Sequence, residues 1–191
     1  MKRNLPSRGS GRPALIACLH LLPLPGSAGW GGSMDSVLDQ ALAECELFTT
    51  LGVDGLILEN THDTPYLRRH AEAGTVAAMS RVAARVRAAT DLPVGVQILA
   101  GANTEALELA VANDLDFIRA EGFAYGHLAD EGWMDADAGP LIRRRSYLRA
   151  EPIEIWADIK KKHAAHAATA DLSVRDMAQG VVFCRGDAVV L

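Results

Sequence analysis

Short apolar runs alternate with helical patterns along nearly the whole chain, and this alternation restricts the fold more than any other feature. The runs are hydrophobic at odd and even positions alike, as strands are in a parallel sheet covered on both faces. Six runs are predicted as strands, at 15–19, 55–58, 94–99, 117–120, 153–157 and 188–191. Alternation of this kind produces either an open doubly wound sheet or a (β/α) barrel.

The segments between these strands carry apolar residues at helical spacing. In the first of them, Val37, Leu38, Ala41 and Cys45 form one stripe, and Ser36 is its predicted N-cap. Four more helices are predicted, over 76–86, 103–111, 141–148 and 173–182. The helix exits repeat too, because an aspartate stands just before three of the strands, as Asp54, Asp116 and Asp187. The chain therefore consists of repeated β/α units.

Polar residues gather where the predicted strands end or just beyond. They are His20, Glu59, Asn60, Gln97, Arg119, Glu121, Asp158, Lys160, Lys162 and His163. The carboxyl ends of barrel strands converge on one mouth, where the sites of such barrels are built, whereas an open sheet shares only one crevice. A whole series of polar strand ends therefore favours a barrel over an open sheet.

Several of these residues are predicted to be catalytic because their side chains transfer protons. Glu59, Glu121 and Asp158 are candidate general bases, and His20 and His163 are candidate proton donors near neutral pH. Lys160 is the sixth catalytic candidate. Its amine would neutralise a phosphate or, if desolvated, form a Schiff base with a carbonyl substrate.

The remaining candidates are predicted to bind substrate. Arg119 offers a planar guanidinium to an anionic group, and Lys162, Asn60 and Gln97 add charge and hydrogen bonds. The whole set predicts an isomerase, an aldolase or a related lyase that acts on a small, phosphorylated sugar or polyol. The sequence does not decide whether the chain is an enzyme.

Two other interpretations of the same residues remain open. Arg119 with Glu121, or Asp158 with Lys160, would serve as structural ion pairs inside the barrel. Alternatively, a divalent metal ion would be held by His20, Glu59, Asp158 and His163, although no pair among them has a recognised ligand spacing.

Two long loops belong to the predicted mouth. The segment 20–32 is rich in proline and glycine, and it predicts either a phosphate contact through backbone N–H groups or a flexible lid or connector. The segment 121–137 either covers the mouth or packs on the surface.

Composition excludes several classes of protein. The net charge of −5 argues against a nucleic-acid binder, and no apolar run reaches the ~18–20 residues of a membrane span. Three scattered cysteines predict neither a disulfide framework nor a zinc site, and they suggest a reducing compartment. We therefore expect a cytoplasmic protein. Residues 1–13 are predicted as a basic tail, with an import signal for an organelle as the alternative.

Five motifs in order resemble the BtpA/SgcQ family. They are HLLPLPG at 20–26, GVDGLILEN at 52–60, LPVGVQIL at 92–99, DFIRAEGF at 116–123 and ADIKKKHAAHA at 157–167. The resemblance implies a TIM barrel of the ribulose-phosphate-binding type. One branch of the family is named for photosystem I biogenesis at the thylakoid membrane surface. Another occurs with sugar-uptake genes, which suggests an enzymatic role. The first branch leaves open a non-catalytic assembly factor with peripheral membrane association.

The resemblance also predicts an incomplete barrel. A complete barrel of this type has eight strands and typically ~250 residues, whereas we expect this chain to stop at its sixth strand. Residues 14–191 are therefore predicted as one truncated barrel domain. The strand at 188–191 would be an open apolar edge, which we expect a protein partner or a second copy of the chain to cover. The expected small ligand is anionic.

Overall fold

The computed structural model describes residues 12–191. The strands of this part are β1 Ile16–His20, β2 Gly55–Glu59, β3 Val94–Gln97, β4 Phe117–Ala120, β5 His127–Ala129, β6 Gly132–Met134, β7 Glu154–Asp158, β8 Ala164–Ala165 and β9 Ala188–Val190. Its helices are α1 Met34–Thr50, α2 Ala73–Ala89, α3 Asn103–Ala112, α4 Ala138–Tyr147 and α5 Val174–Phe183, with a short 3₁₀ turn at Ala167–Thr169.

Six strands form one parallel sheet in the order β1-β2-β3-β4-β7-β9. All six correspond to predicted strands, and each helix contains most of a predicted helical stripe. The sheet curls into a half-barrel, with the helices packed on its outer face. The predicted (β/α) barrel architecture is therefore confirmed, with six parallel strands in the described chain.

The start of the first helix differs from the prediction. Ser33, rather than Ser36, is the N-cap of α1, and its hydroxyl accepts the backbone N–H of Ser36 at 3.2 Å. The helix begins three residues before the buried stripe, and in its first turn only Met34 packs against the core, whereas Asp35 and Ser36 are exposed. The prediction placed the cap where the apolar pattern begins, which was wrong by nearly one turn.

The aspartates before the strands fasten the end of the sheet that lies opposite the mouth. One carboxylate oxygen of Asp54, Asp116 and Asp187 accepts a backbone N–H at the start of the neighbouring strand, at 2.8–2.9 Å. Each also pairs with an arginine, which is Arg12, Arg87 or Arg145 in turn. The repeated motif is therefore structural. Arg12 belongs to the predicted tail, whose residues 1–11 lie outside the described residues.

An antiparallel sheet of three short strands was not predicted. The hairpin β5–β6 occupies about half of the expected loop 121–137, and β8 pairs with its first strand. Arg69 ties the segments on either side of this hairpin to the loop after β2, because its guanidinium donates to the carbonyl oxygens of Glu121 and Gly122 and pairs with Asp137 at 2.9 Å. The segment is therefore an ordered structure that follows the ends of β4 and β7.

Two stacked aromatic side chains, Phe117 and Trp156, lie on the inner face of the half-barrel beneath the mouth. The rings of Phe117 and Trp156 stack with centroids 3.8 Å apart and planes 11° from parallel. On the neighbouring strand stands Gly95, where a Cβ atom would overlap the ring of Phe117. The polar side chains of the mouth lie two residues further along the same strands. Among the helices of residues 12–191, none has the length and apolar character needed to cross a bilayer.

Candidate functional site

Four predicted residues form one connected group at the carboxyl ends of the strands, with the guanidinium of Arg119 at its centre. Arg119 of β4 donates from Nε to Asp158 Oδ1 at 2.8 Å and from Nη2 to Asp158 Oδ2 at 3.3 Å. Its Nη1 donates to Glu59 Oε1 at 3.0 Å. The other oxygen of Glu59 lies 3.5 Å from His20 Nε2. The strand ends therefore place two carboxylates, one guanidinium and one imidazole together.

Burial affects the pKa values of the ionisable side chains in this group. Glu59 and Asp158 are almost completely buried, while the Arg119 side chain is 29% exposed. Burial raises the pKa of Asp158 above its ordinary value, although its bonds with Arg119 oppose this. Burial also opposes the charge of Arg119, but Asp158 and Glu59 together raise its pKa above the usual range. The guanidinium therefore remains a fixed cation.

A second group lies beside the first and is centred on Glu121. Gln97 donates from Nε2 to Glu121 Oε1 at 3.1 Å, and the ammonium group of Lys161 donates to Oε2 at 3.2 Å. Glu121 is buried, and this burial raises the pKa of its carboxyl group although Lys161 opposes it. A buried carboxyl group with a raised pKa and a nearby ammonium group is suited to proton transfer.

The structure selects a different lysine from those predicted. Lys161, which the prediction left out, points to Glu121 with only 12% of its side chain exposed. Lys160 instead donates to the carbonyl oxygen of Thr169 at 2.8 Å. Lys162 and His163 are exposed on the segment after β7, and no hydrogen bond or ion pair of the described chain joins them to the mouth. The structure therefore does not bring these three candidates to the carboxylates.

Asn60 takes part in a loop network rather than in either group. Its Nδ2 donates to Asp63 at 2.9 Å, and its Oδ1 accepts the backbone N–H of Leu99 at 2.8 Å. The other oxygen of Asp63 accepts the backbone N–H of Leu24, within the glycine-rich segment after β1. A cavity of about 240 Å³ lies between these loops, and Asn60 and Gly26 line it. The glycine-rich segment is therefore packed against the loop after β2.

His127 is a buried imidazole beside the second group. It is 5% exposed, and its Nε2 has no hydrogen-bond partner in residues 12–191. Burial lowers the pKa of His127 to about 4, and the positive charge of Lys161 and the neighbouring ring of His166 contribute. His127 is therefore neutral at pH 7.

We expect His127 to make the protein sensitive to acid. The folded-state pKa of about 4 lies below the ordinary histidine value of 6.5, so the unfolded chain binds this proton more readily and stability falls as the pH drops from 6.5 toward 4. Replacing His127 with glutamine removes a penalty of up to about 3 kcal/mol. Urea unfolding at pH 7 and pH 4.5 measures this gain. The exposed His163→Gln variant serves as the control. An equal change for wild type and His127→Gln between these pH values would contradict the prediction.

A sequence model described as the BtpA family matches residues 12–191. The chain belongs to the BtpA family. It is 42% identical to an uncharacterized mitochondrial protein of Caenorhabditis elegans, over 95% of this chain and 68% of that protein. It is 32% identical to the photosystem I biogenesis protein BtpA of Synechocystis, over 88% of this chain and 61% of that protein.

Solved structures support the fold of this BtpA-family chain. The 7,8-dihydropteroate synthase of Vibrio fischeri superposes with a TM-score of 0.59 at 13% identity, covering 95% of this chain and 60% of that one. The N-acetylmannosamine-6-phosphate 2-epimerase of Clostridium perfringens gives 0.51 at 10% identity, covering 92% and 60%. The likeness confirms the TIM-barrel-type fold. The chain spans about three fifths of these enzymes and between three fifths and about two thirds of the relatives above.

Proposed function

We propose that this BtpA-family chain binds and converts a small, phosphorylated, sugar-like metabolite at the mouth of its half-barrel. The observation that carries the proposal is the buried Glu121–Lys161 pair, whose Nζ–Oε2 distance is 3.2 Å, beside the guanidinium of Arg119. Carboxylates accept hydrogen bonds from sugar hydroxyl groups. Glu59, Glu121 and Asp158 would therefore orient the hydroxyl-bearing part of such a ligand.

The pair suits an isomerase or an aldolase-like lyase. Glu121 would take the proton from the carbon next to a carbonyl group, and the electron pair of that C–H bond would move onto the carbonyl oxygen. The ammonium group of Lys161 would hydrogen-bond to the resulting enediolate oxygen. The proton of the neighbouring hydroxyl group would then move to the enediolate oxygen, and return of the proton from Glu121 to the former carbonyl carbon would complete an isomerisation. The raised pKa of Glu121 supports this double role.

The phosphate group of the ligand requires positive charge outside the two groups. Arg119 is already bound by two carboxylates, so it offers little attraction to a further anion. Lys162 and His163 are exposed after β7, and we assign the anionic end of the ligand to them. Two barrel neighbours support a small-molecule site, since the Clostridium perfringens protein is an epimerase of a sugar phosphate and the dihydropteroate synthase of Xanthomonas albilineans forms a complex with indole-2-carboxylic acid and 6-chloroguanine.

A panel of pentose and hexose phosphates tests the proposal. A ligand that binds the folded chain raises its melting temperature by mass action. In D₂O, the chain would then exchange the ligand hydrogen next to the carbonyl group, followed by NMR. Glu121→Gln should retain binding and slow this exchange about 100-fold or more. The matched control is Glu108→Gln, which removes an ion-paired carboxylate outside the mouth. Exchange that survives Glu121→Gln would exclude Glu121 as the base.

A non-catalytic assembly factor is the second candidate. The Synechocystis relative, a photosystem I biogenesis protein, supports it, as do exposed apolar side chains on α5, where Phe183 is 88% and Val182 is 72% exposed. On this alternative, α5 would contact a protein partner or a second copy of the chain. Two results together would favour this candidate over the enzyme. The melting temperature would not change with any sugar phosphate, and Phe183→Ser would lose the complex that the wild-type chain forms with a protein partner or a second copy.

The cellular location of the protein is a separate proposal. The scattered cysteines suggest a reducing compartment and so support a cytoplasmic location. The mitochondrial name of the Caenorhabditis elegans relative instead supports import into an organelle. A fluorescent protein fused after residues 1–13 would distinguish the two, because an import signal carries the reporter into the organelle and a plain basic tail does not.

A further inference from the structure

Three metal-binding side chains meet on the inner face of β1 and β2. Cys18 and His20 are two residues apart, so both side chains lie on the same face of β1. Glu59 is the register partner of His20 on β2. One donor atom from each residue, a sulfur, a nitrogen and an oxygen, lies within 4.8 Å of the other two. We propose that Cys18, His20 and Glu59 bind a Zn²⁺ ion.

The donor set selects the class of metal. Zn²⁺ accepts thiolate, imidazole and carboxylate together, whereas Mg²⁺ and Ca²⁺ take oxygen ligands and avoid sulfur. Zinc–ligand bonds are about 2.0–2.3 Å long, so small rotations of the three side chains bring the donors onto one ion. Three protein ligands leave the fourth position of a tetrahedral site to water or a substrate oxygen.

The surrounding contacts favour this site. Arg119 holds Oε1 of Glu59 at 3.0 Å, which leaves Oε2 facing His20 at 3.5 Å. An outer partner of this kind fixes the orientation of a metal-binding carboxylate. Glu59, Asp158 and Arg119 together carry one negative charge, and the Cys18 thiolate would add another. A divalent cation would neutralise the group.

The site is open to solvent and differs from the metal set expected from sequence. Cys18 and His20 are both exposed on the inner face, so an ion can reach them. Asp158 is instead bound through both oxygens to Arg119, and His163 is exposed after β7. Partial burial and the charge of Glu59 raise the pKa of the Cys18 thiol. Because zinc binds the thiolate, we expect zinc binding to release a proton and to weaken at low pH.

Cobalt substitution tests the proposal without any substrate, so its outcome is independent of the proposed reaction. The chain, reduced with a phosphine, is titrated with Co²⁺ and then with Zn²⁺. We expect the visible bands of tetrahedral Co²⁺ and a thiolate charge-transfer band in the near ultraviolet, both displaced by Zn²⁺ and unaffected by excess Mg²⁺. Cys18→Ser should abolish the charge-transfer band. Cys18→Ser and His20→Gln should each weaken Zn²⁺ binding about 100-fold or more.

Matched variants separate this site from other cysteines and histidines. Cys184→Ser removes a partly exposed cysteine elsewhere. His70→Gln removes a histidine that also lies 3.5 Å from a glutamate, Glu105, but has no cysteine beside it. Both controls should bind Zn²⁺ as the wild type does. A charge-transfer band that persists in Cys18→Ser, or Zn²⁺ affinity unchanged by both ligand substitutions, would overturn the proposal. Absence of the band in the wild type would do so too.

Discussion

Replacing Arg119 with alanine is expected to lower the free energy of unfolding at pH 7 by about 3–5 kcal/mol. The substitution leaves Glu59 and Asp158 buried on either side of an empty space, with no cation between them. Removing one partner of a buried ion pair is costly because the remaining charge has lost water and gained nothing in return. The partial exposure of Arg119 favours the lower half of this range, since water can enter the vacated space.

The same variant should lose less stability in acid. Burial already raises the pKa of Asp158, and removal of Arg119 takes away the bond that opposes this. Asp158 would then protonate more readily in the folded variant than in the unfolded chain. The folded variant gains this proton as the pH falls, so its deficit against wild type shrinks between pH 7 and pH 4.5. Urea unfolding of both proteins at these two pH values measures the difference.

Arg145→Ala is the matched control for this substitution. Arg145 pairs with Asp187 at 2.6 Å, but this pair lies at the opposite end of the strands, and the Asp187 side chain is 36% exposed. Asp187 also keeps the backbone N–H of Ile155 as a donor. We expect this control to lose less, about 1–2 kcal/mol, because Asp187 keeps access to water, although Arg145 itself is only 12% exposed and also donates to the carbonyl oxygens of Ile153 and Arg185. An Arg119→Ala variant no less stable than Arg145→Ala would show that Glu59 and Asp158 are not held by Arg119.

The sequence predicted the parallel strands well because burial on both faces leaves a simple signal. Each of the six runs is short and apolar at both parities, and the covering helices carry their own stripe. The hairpin β5–β6 has no such signal. Its strands are three residues long, and they become a sheet only because they pair with each other and with β8, which lies some 30 residues later. Pairing of this kind is a property of the folded chain rather than of the local sequence.

The residues of the mouth could be predicted where the chain is still in a β-strand, because side chains alternate between the two faces there. Arg119 and Glu121 share a parity, and both were assigned to the mouth. The same rule would have found Cys18 from His20, because residues two apart on a strand share a face. It fails after β7, where Lys160 and His163 have φ values of 48° and 59° and the chain leaves the extended conformation. Nothing in three consecutive lysines indicates that only Lys161 turns inward.

Alanine at Gly95 and alanine at Phe117 should each destabilise the chain, and together they should cost less than their sum. A Cβ atom on Gly95 would overlap the ring of Phe117, which is 2% exposed and stacked on Trp156. Overpacking of this kind costs about 1–3 kcal/mol. Phe117→Ala should cost about 3–5 kcal/mol, since it leaves a cavity under the mouth. In the double variant, the methyl group on residue 95 occupies part of the vacated space.

A double-mutant cycle in urea isolates this coupling, which we expect to favour the double variant by about 1 kcal/mol or more. Gly31→Ala is the control: no atom lies within 4 Å of its added Cβ, and its effect should stay within about 0.5 kcal/mol. Strict additivity would mean that the ring of Phe117 does not lie over Gly95. The result bears on the site, because Phe117 and Arg119 lie on the same face of β4. If the coupling is confirmed, the stacked rings of Phe117 and Trp156 form a packed layer beneath the guanidinium group of Arg119. A displacement of the Phe117 ring would then shift the support of that group.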